Sequence, residues 1–436
     1  IWTHLALGDV RLATLTAAGA PDAWMPISID PGSTWQSFLA LIPVVSVFVG
    51  TATLDAYERR EMSLVLLAFC VLSGALGLFQ IAQGPDSALR FFTVTNVTEA
   101  VGFFANRNHF AALMYCGLVL AAAWGTERFL LQNMQPAVRF DTQTTISVLA
   151  VLAVFAVLIA GEAMGRSRAG LGLSIGAMLA SLILGLGIPR PEGEQRASNR
   201  ILVTAIAVAL VFVMQYSLFR IFERFGTDPL TDARIPIARS TLAGAKATLP
   251  FGTGMGTFVP SYAAFERPED ALLDTYANHA HNDYLEWALD TGLFAALLLV
   301  IFLVWFWRRS AAVWARPKNE EEGLLMLYPR AATVIVLLLL AHSFVDYPLR
   351  TSAMGSVAAF ACGLITLRPK VGARDRRLVE RRGQSVRVHV PAPMEVAHPA
   401  QDPAHKTAHD NRWGRDVDWP DEWKQKAGAP PPGDET

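Results

Sequence analysis

Charge is scarce in this chain: Asp, Glu, Lys and Arg make up only 17% of its 436 residues. An ordinary soluble domain carries about 25%. Cysteine is scarcer still, with Cys70, Cys116 and Cys362 each inside an apolar block. Three scattered thiols exclude a disulfide framework and a thiolate metal site, and read as small buried hydrophobes. There is no HExxH and no Cys/His set, so no metal and no cofactor are expected. No phosphate-binding P-loop occurs, so ATP is not indicated as an energy source. A net charge of −1 gives no signal for nucleic acid. No signal peptide is visible, and the chain opens on Ile1. The expectation is an N-terminally incomplete sequence with earlier spans missing.

What is present is apolar residue, 52% of the chain, with a mean hydropathy of +0.32. It comes in long blocks, which bounds the fold class to all-α, a polytopic transmembrane helical bundle. A window of about 20 apolar residues crosses a bilayer. About nine such spans are expected, at 35–54, 62–82, 109–131, 145–163, 169–189, 201–222, 292–309, 329–347 and 351–368. The fifth is rich in Gly, Ala and Ser, which suits close helix packing.

Arginine and lysine near span ends set orientation. Arg59 and Arg60, Arg128 and Arg139, Arg190, Arg196 and Arg200, then Arg308, Arg309, Arg316 and Lys318, and finally Arg368 to Arg377, all fall on one side under strict alternation. That side is expected to be cytoplasmic, with the C-terminus inside. The organisation reads as an external segment 1–34, transmembrane helices over 35–222, a large periplasmic loop 223–291 with an interfacial helix, further transmembrane helices over 292–368, and a disordered cytoplasmic tail 369–436.

Five polar motifs gather on the opposite, external side. "NHAHNDYLEWALDTG", 278–292, places His279 and His281 before a helix expected to start near Asp283 in a capping box with Glu286. Leu285, Trp287 and Leu289 suit a helix lying in the membrane interface. A neutral imidazole at His281 can take a proton near pH 7. On the other reading, both histidines are polar residues at a water interface. "GRSRAG" carries Arg166 and Arg168, which either snorkel to lipid phosphate or clamp a diphosphate in bidentate geometry. Arg234, Arg239 and Lys246 precede "FGTGMG", whose glycines let an external loop fold tightly. Arg234 and Arg239, five apart, are not expected to share a helix face. Arg107 and His109 sit in "GFFANRNHFAALM" at the outer entry of the third span, capping it or lining a polar pocket. His342 and Asp346, four apart in "AHSFVDYPLR", are expected to pair on one helix face.

Taken together, "RIPIARSTLAGAKATLPFGTGMGTF", "HAHNDYLEWALDTGLFAALLLVIF", "GFFANRNHFAALM", "GRSRAG" and "HSFVDYPLR" resemble the O-antigen ligase/O-antigen polymerase superfamily of bacterial polytopic envelope glycosyltransferases, over about residues 90–368. The resemblance implies a multi-pass enzyme of the inner (cytoplasmic) membrane with its active site facing the periplasm. Its donor would be an undecaprenyl-diphosphate-linked glycan. Its acceptor would be lipid A-core, another glycan or a protein hydroxyl, and its chemistry metal-independent and inverting. Carried onto this chain, His281 is the catalytic histidine, and Arg168 and Arg234 bind the carrier diphosphate. Arg166, Arg239, His279, Asn282, Glu286, Arg107, His109, His342 and Asp346 are supporting candidates. Two positions depart from the pattern: Ile237 replaces a tryptophan common in relatives, and Glu286 a frequent glutamine. Ligation, polymerisation and protein O-glycosylation all stay open. So does a polyprenyl-glycan transporter, although the internal repeats expected of one are not seen.

Overall fold

The computed structural model describes residues 8–94, 97–133, 142–188, 229–271 and 276–366. Among these described residues there are twelve α-helices and no strand. They are α1 (Gly8–Ala17), α2 (Pro31–Thr53), α3 (Ala56–Gln83), α4 (Arg107–Asn133), α5 (Thr142–Gly165), α6 (Arg168–Ser181), α7 (Pro229–Ala247), α8 (Phe258–Ala263), α9 (Asp283–Thr291), α10 (Leu293–Val313), α11 (Glu320–His342) and α12 (Ser352–Leu364). The all-α reading stands, and the chain is a multi-pass helical membrane protein.

The span count differs from the nine expected. Six described helices are long and apolar enough to cross a membrane: α2, α3, α4, α5, α10 and α11. The expected sixth span, 201–222, and the tail 369–436 lie outside the described residues. The expected fifth and ninth spans are the 14-residue α6 and the 13-residue α12. α6 stops early because its chain tightens after Ser181. Leu182, Ile183, Leu184 and Leu186 donate to carbonyls three residues back, and Gly187 turns with φ +72°. The tightening frees the carbonyls of Leu184 and Leu186, which accept from the buried Arg330 guanidinium at 2.9 and 2.7 Å. A buried arginine inside an apolar helix is costly unless satisfied in this way.

Polar capping residues, invisible to a hydropathy window, decide where the other helices begin. Asp30 caps α2 just before Pro31. Asp55 and Glu58 form a reciprocal capping box that starts α3 at Ala56 rather than at 62. Asn319 caps α11, and Glu320, Glu321 and Glu322 fill its first turn, where carboxylates suit the helix dipole. So α11 begins nine residues before the expected span and ends at His342 rather than at 347. Residues 8–17, inside the expected external segment 1–34, form α1, and Arg11 ties it to the carbonyls of Pro26 and Ile27.

α4 is the centre of the bundle. Of its apolar window 94% is buried, against 6% for α2 and 11% for α10, whose apolar faces remain outward, as lipid contact requires. α3, α5, α6 and α11 pack around α4. The closest approaches use glycine: a Cβ on Gly77 would meet the Phe110 ring at 2.9 Å, and one on Gly117 would meet Cys70 at 2.9 Å.

The two ends of the bundle differ. At one end Arg60 pairs with Glu127, which also accepts from Tyr328 at 2.9 Å. There too, Arg59 and Arg309 donate to the carbonyls of Leu364 and Ile365 at 3.1 and 2.9 Å. The other end receives the C-termini of α5 and α11 and the N-termini of α4 and α10. There Gln80 clamps the loop that leads into α4. Its amide donates to the carbonyls of Leu89 and Gly102 at 2.9 and 2.8 Å, and its oxygen accepts from the N–H groups of Val101 and Gly102 at 3.2 and 2.9 Å.

A Gln80→Leu change would orphan those buried amides and carbonyls, at about 1–3 kcal/mol for each group left unsatisfied. The expected outcome is a clearly lower unfolding midpoint in detergent. An unchanged midpoint would show that the loop is held by other contacts.

Candidate functional site

The site is built on α9. Asn282 caps this helix, its side chain accepting from the N–H of Leu285 at 3.1 Å. The expected start near 283 is therefore right, but the expected Asp283–Glu286 capping box is not formed. Both carboxylates turn inward instead. Of the residues expected to face the membrane interface, Leu289 is fully buried with Ile237 of α7 and Phe258 and Tyr262 of α8. A short helix under α7 buries one whole face, and here that face carries Asp283, Glu286 and Asp290 as well as Leu289.

All three carboxylates meet Arg350, which follows α11 in a short 3₁₀ turn, Pro348–Arg350. Its Nη1 lies 2.8 Å from Asp290 Oδ2 and 3.5 Å from Glu286 Oε1, and its Nε 3.7 Å from Asp283 Oδ1. One cation cannot fully offset three buried anions. Burial pushes both Asp283 and Asp290 up to about 6, with Arg350 opposing. Burial acts on Glu286 in the same direction. There, however, the hydrogen bond from His279, the Arg350 charge and the Ala280 N–H outweigh it, so Glu286 stays below its ordinary value. Sequence reasoning took Asp283 as a cap and named neither Arg350 nor Asp290 among the site candidates. The available signal was acidic residues at i, i+3 and i+7, one helix face.

Two histidine–carboxylate pairs stand beside this cluster. His281 Nδ1 lies 3.0 Å from Asp346 Oδ1, and His279 Nδ1 lies 2.9 Å from Glu286 Oε1. The expected His342–Asp346 side-chain pair does not form, because α11 ends at His342 and Asp346 turns towards α9. His342 Nδ1 instead meets the Tyr115 hydroxyl at 3.1 Å. Burial would raise Asp346, but the His281 hydrogen bond and the nearby His281, His109 and His342 hold it well below the carboxylate range. An ionised carboxylate only accepts, so it takes the Nδ1–H of His281, and in the neutral imidazole Nε2 is then the free acceptor. His281 also holds φ +50°. Among the described residues the only other non-glycine at positive φ is Arg166, also at +50°. Such conformers cost about 1–3 kcal/mol and gather at functional sites.

Tyr347 is the hub of the rings. His279 packs on it with centroids 4.0 Å apart, His109 edge-on at 5.0 Å and His281 edge-on at 5.2 Å. Asn106 donates to its hydroxyl at 3.3 Å. Next to it, the buried Glu99 gathers Arg107 at 3.4 Å and Arg166 at 3.9 Å. "ANRNH", "GRSRAG", "HNDYLEW" and "HSFVDYPLR" thus meet at one end of the bundle. Arg168 is the first residue of α6, after the Ser167 cap, and is half-buried.

α7 settles the two loop arginines. Its buried positions are Ile237, Ser240, Thr241, Gly244 and Ala245, one stripe at helical spacing. Arg234 lies one turn before Ile237 on that stripe, half-buried and within electrostatic reach of His342. Arg239 is off the stripe and exposed. The two do not share a face, as their spacing predicted. Asn282 is committed to its cap and to the Phe344 carbonyl at 2.9 Å. Beyond α7, the glycine loop folds tightly against the chain before α2. Thr253 accepts from the Ile29 N–H at 2.8 Å, and a Cβ on Gly254 (φ +111°) would sit 2.2 Å from Ser28 Oγ. Among the described residues no cluster of metal-ligating type occurs.

The class is therefore a multi-pass helical membrane protein with a histidine–carboxylate site at one end of its bundle. Residues 138–300 match the family model described as O-antigen ligase, which bears out the superfamily resemblance. No curated protein matches the chain. The family match ends before Asp346 and Arg350; it is the fold that brings these residues to the matched histidines.

Arg350→Met removes the cation that contacts the buried Asp283, Glu286 and Asp290. Breaking such a set costs about 3–5 kcal/mol, and thermal unfolding in detergent should show the loss. The raised Asp290 gives a pH signature. Its folded value of about 6 lies above the usual 3.8, so its contribution is present below about pH 4 and lost as pH rises through 6. Asp290→Asn should flatten the stability curve between about pH 4 and 6. An unchanged slope would refute the assignment.

Proposed function

We propose that this protein moves a glycan from an undecaprenyl-diphosphate carrier to an acceptor hydroxyl, in the manner of an O-antigen ligase, on the periplasmic face of the inner membrane. The observation that carries this reading is the His281–Asp346 pair at 3.0 Å, at the bundle end opposite the one that carries Arg59, Arg60 and Arg309. Placing the Arg59–Arg60 end in the cytoplasm follows the alternation of basic loops along the sequence and turns the histidines outward.

In this reading His281 Nε2 takes the proton from the acceptor hydroxyl. The oxygen attacks the anomeric carbon, the bond to the diphosphate oxygen breaks, and the centre inverts. Asp346 holds the imidazole in the required tautomer and stabilises the imidazolium that forms. Arg234 and Arg168 neutralise charge that grows on the departing diphosphate, where stabilisation counts most. His109 and Tyr347 wall the base, and Glu99 holds Arg107 and Arg166 beside it. A base at the water–lipid boundary suits a donor whose sugar lies in water and whose carrier lies in lipid. No step requires a metal.

His281→Ala should lower transfer by about 10²–10⁴-fold while the protein still inserts. Arg234→Ala should cost far more activity than Arg239→Ala. Glycan analysis of a complemented deletion strain is the test. Full-length polymer stranded on its carrier marks a ligase, and single repeat units on the final acceptor mark a polymerase. Full complementation by His281→Ala would overturn the site.

A further inference from the structure

The catalytic reading uses one histidine of the pair, yet the site holds two of the same build. His279 and His281 each give Nδ1 to a buried carboxylate, at 2.9 and 3.0 Å. Each side chain keeps part of its surface open, 32% and 26%. Neither Nε2 has a hydrogen-bond partner among the described residues. Both rings pack on the one Tyr347 ring. The residue between them, Ala280, is buried, and its N–H is pinned to Glu286 Oε2 at 2.8 Å. The spacing is thus held rigidly from the backbone. Residues two apart in the chain stand at most about 7 Å apart at Cα, which is the scale of one sugar ring.

We infer that His279, oriented by Glu286, is a second hydroxyl-binding group that selects and orients the acceptor, and that the acceptor is a sugar offering two hydroxyls of one ring. This rests on the reading of His281 as the base. One hydroxyl is deprotonated by His281 and bonds to the incoming glycan. The other donates to Nε2 of His279 and is unchanged at the end. Glu286 serves as the positioning residue of this pair. It accepts from His279 Nδ1 and from the Ala280 N–H, and Arg350 neutralises it from behind at 3.5 Å. An isolated serine or threonine hydroxyl would leave His279 Nε2 without a partner in the bound complex, which disfavours a protein acceptor.

The test is linkage analysis of the glycan–acceptor junction from a deletion strain complemented with the full chain, with protein in the membrane checked by immunoblot. Wild type should give one linkage, to a sugar. His279→Ala and His279→Gln should give attachment at more than one hydroxyl of that sugar, with yield down by up to about tenfold, the worth of one net hydrogen bond. Glu286→Gln keeps an acceptor for Nδ1 and should give an intermediate mixture. A single unchanged linkage in the His279 variants, at full or reduced yield, would overturn the proposal. So would a serine or threonine junction in wild type, or failure of both variants to accumulate, which would assign the pair to folding. His281→Ala is read separately. Retained attachment there would refute the underlying base assignment, whatever the His279 variants do.

Discussion

The candidate site depends on one cation, Arg350, that is largely but not fully buried. Arg350 stands between Asp283, Glu286 and Asp290, one from each successive turn of α9. Without it, three carboxylates on one short helix face would have to be protonated or exposed. With it, α9 is locked to the chain that leaves α11. His279 and His281 precede α9 and are placed by that lock. Ser343 reinforces it, giving its hydroxyl to Asp283 at 2.7 Å, while its carbonyl accepts from the Asp283 N–H at 2.9 Å. The arrangement is rigid because every partner is buried, and it is costly to disturb for the same reason.

The same lock produces the electrostatics. Two of the three carboxylates rise to about 6, whereas Glu286 and Asp346, each bonded to a histidine, stay low. Carboxylates that remain ionised next to imidazoles accept from Nδ1 and turn the outer nitrogen, Nε2, away from the cluster. Carboxylates that share Arg350 without a histidine serve structure. Environment, rather than residue type, divides the roles.

The rest of the bundle is a scaffold that brings distant motifs to one end. α4 is central and starts at that end with Arg107 and His109. α5 ends there and α6 begins there, through a turn that puts Arg166 at φ +50° beside Glu99. The long apolar helices at the periphery bury little of themselves within the protein. Their outward apolar faces are the ones that meet lipid.

Much of this was legible in the sequence. Long apolar blocks required membrane-spanning helices, because a backbone in lipid must satisfy its own hydrogen bonds. Five ordered motifs marked the site and the family, and the helix start at 283 followed from local polarity. The five-residue spacing separated Arg234 from Arg239. Local pattern could not give long-range pairing. His342 and Asp346 looked like partners at i, i+4, but the helix ends between them, so Asp346 reaches His281, 65 residues away. The capping box at Asp283 and Glu286 was a sound local reading that lost to an arginine from another segment. The length of α6 goes with Arg330, whose guanidinium donates to the carbonyls of Leu184 and Leu186 just beyond its last turn. Composition and periodicity determined which segments enter the membrane. Which charges meet inside it was decided by tertiary packing, because burial makes each buried ion's partner obligatory wherever in the chain that partner lies.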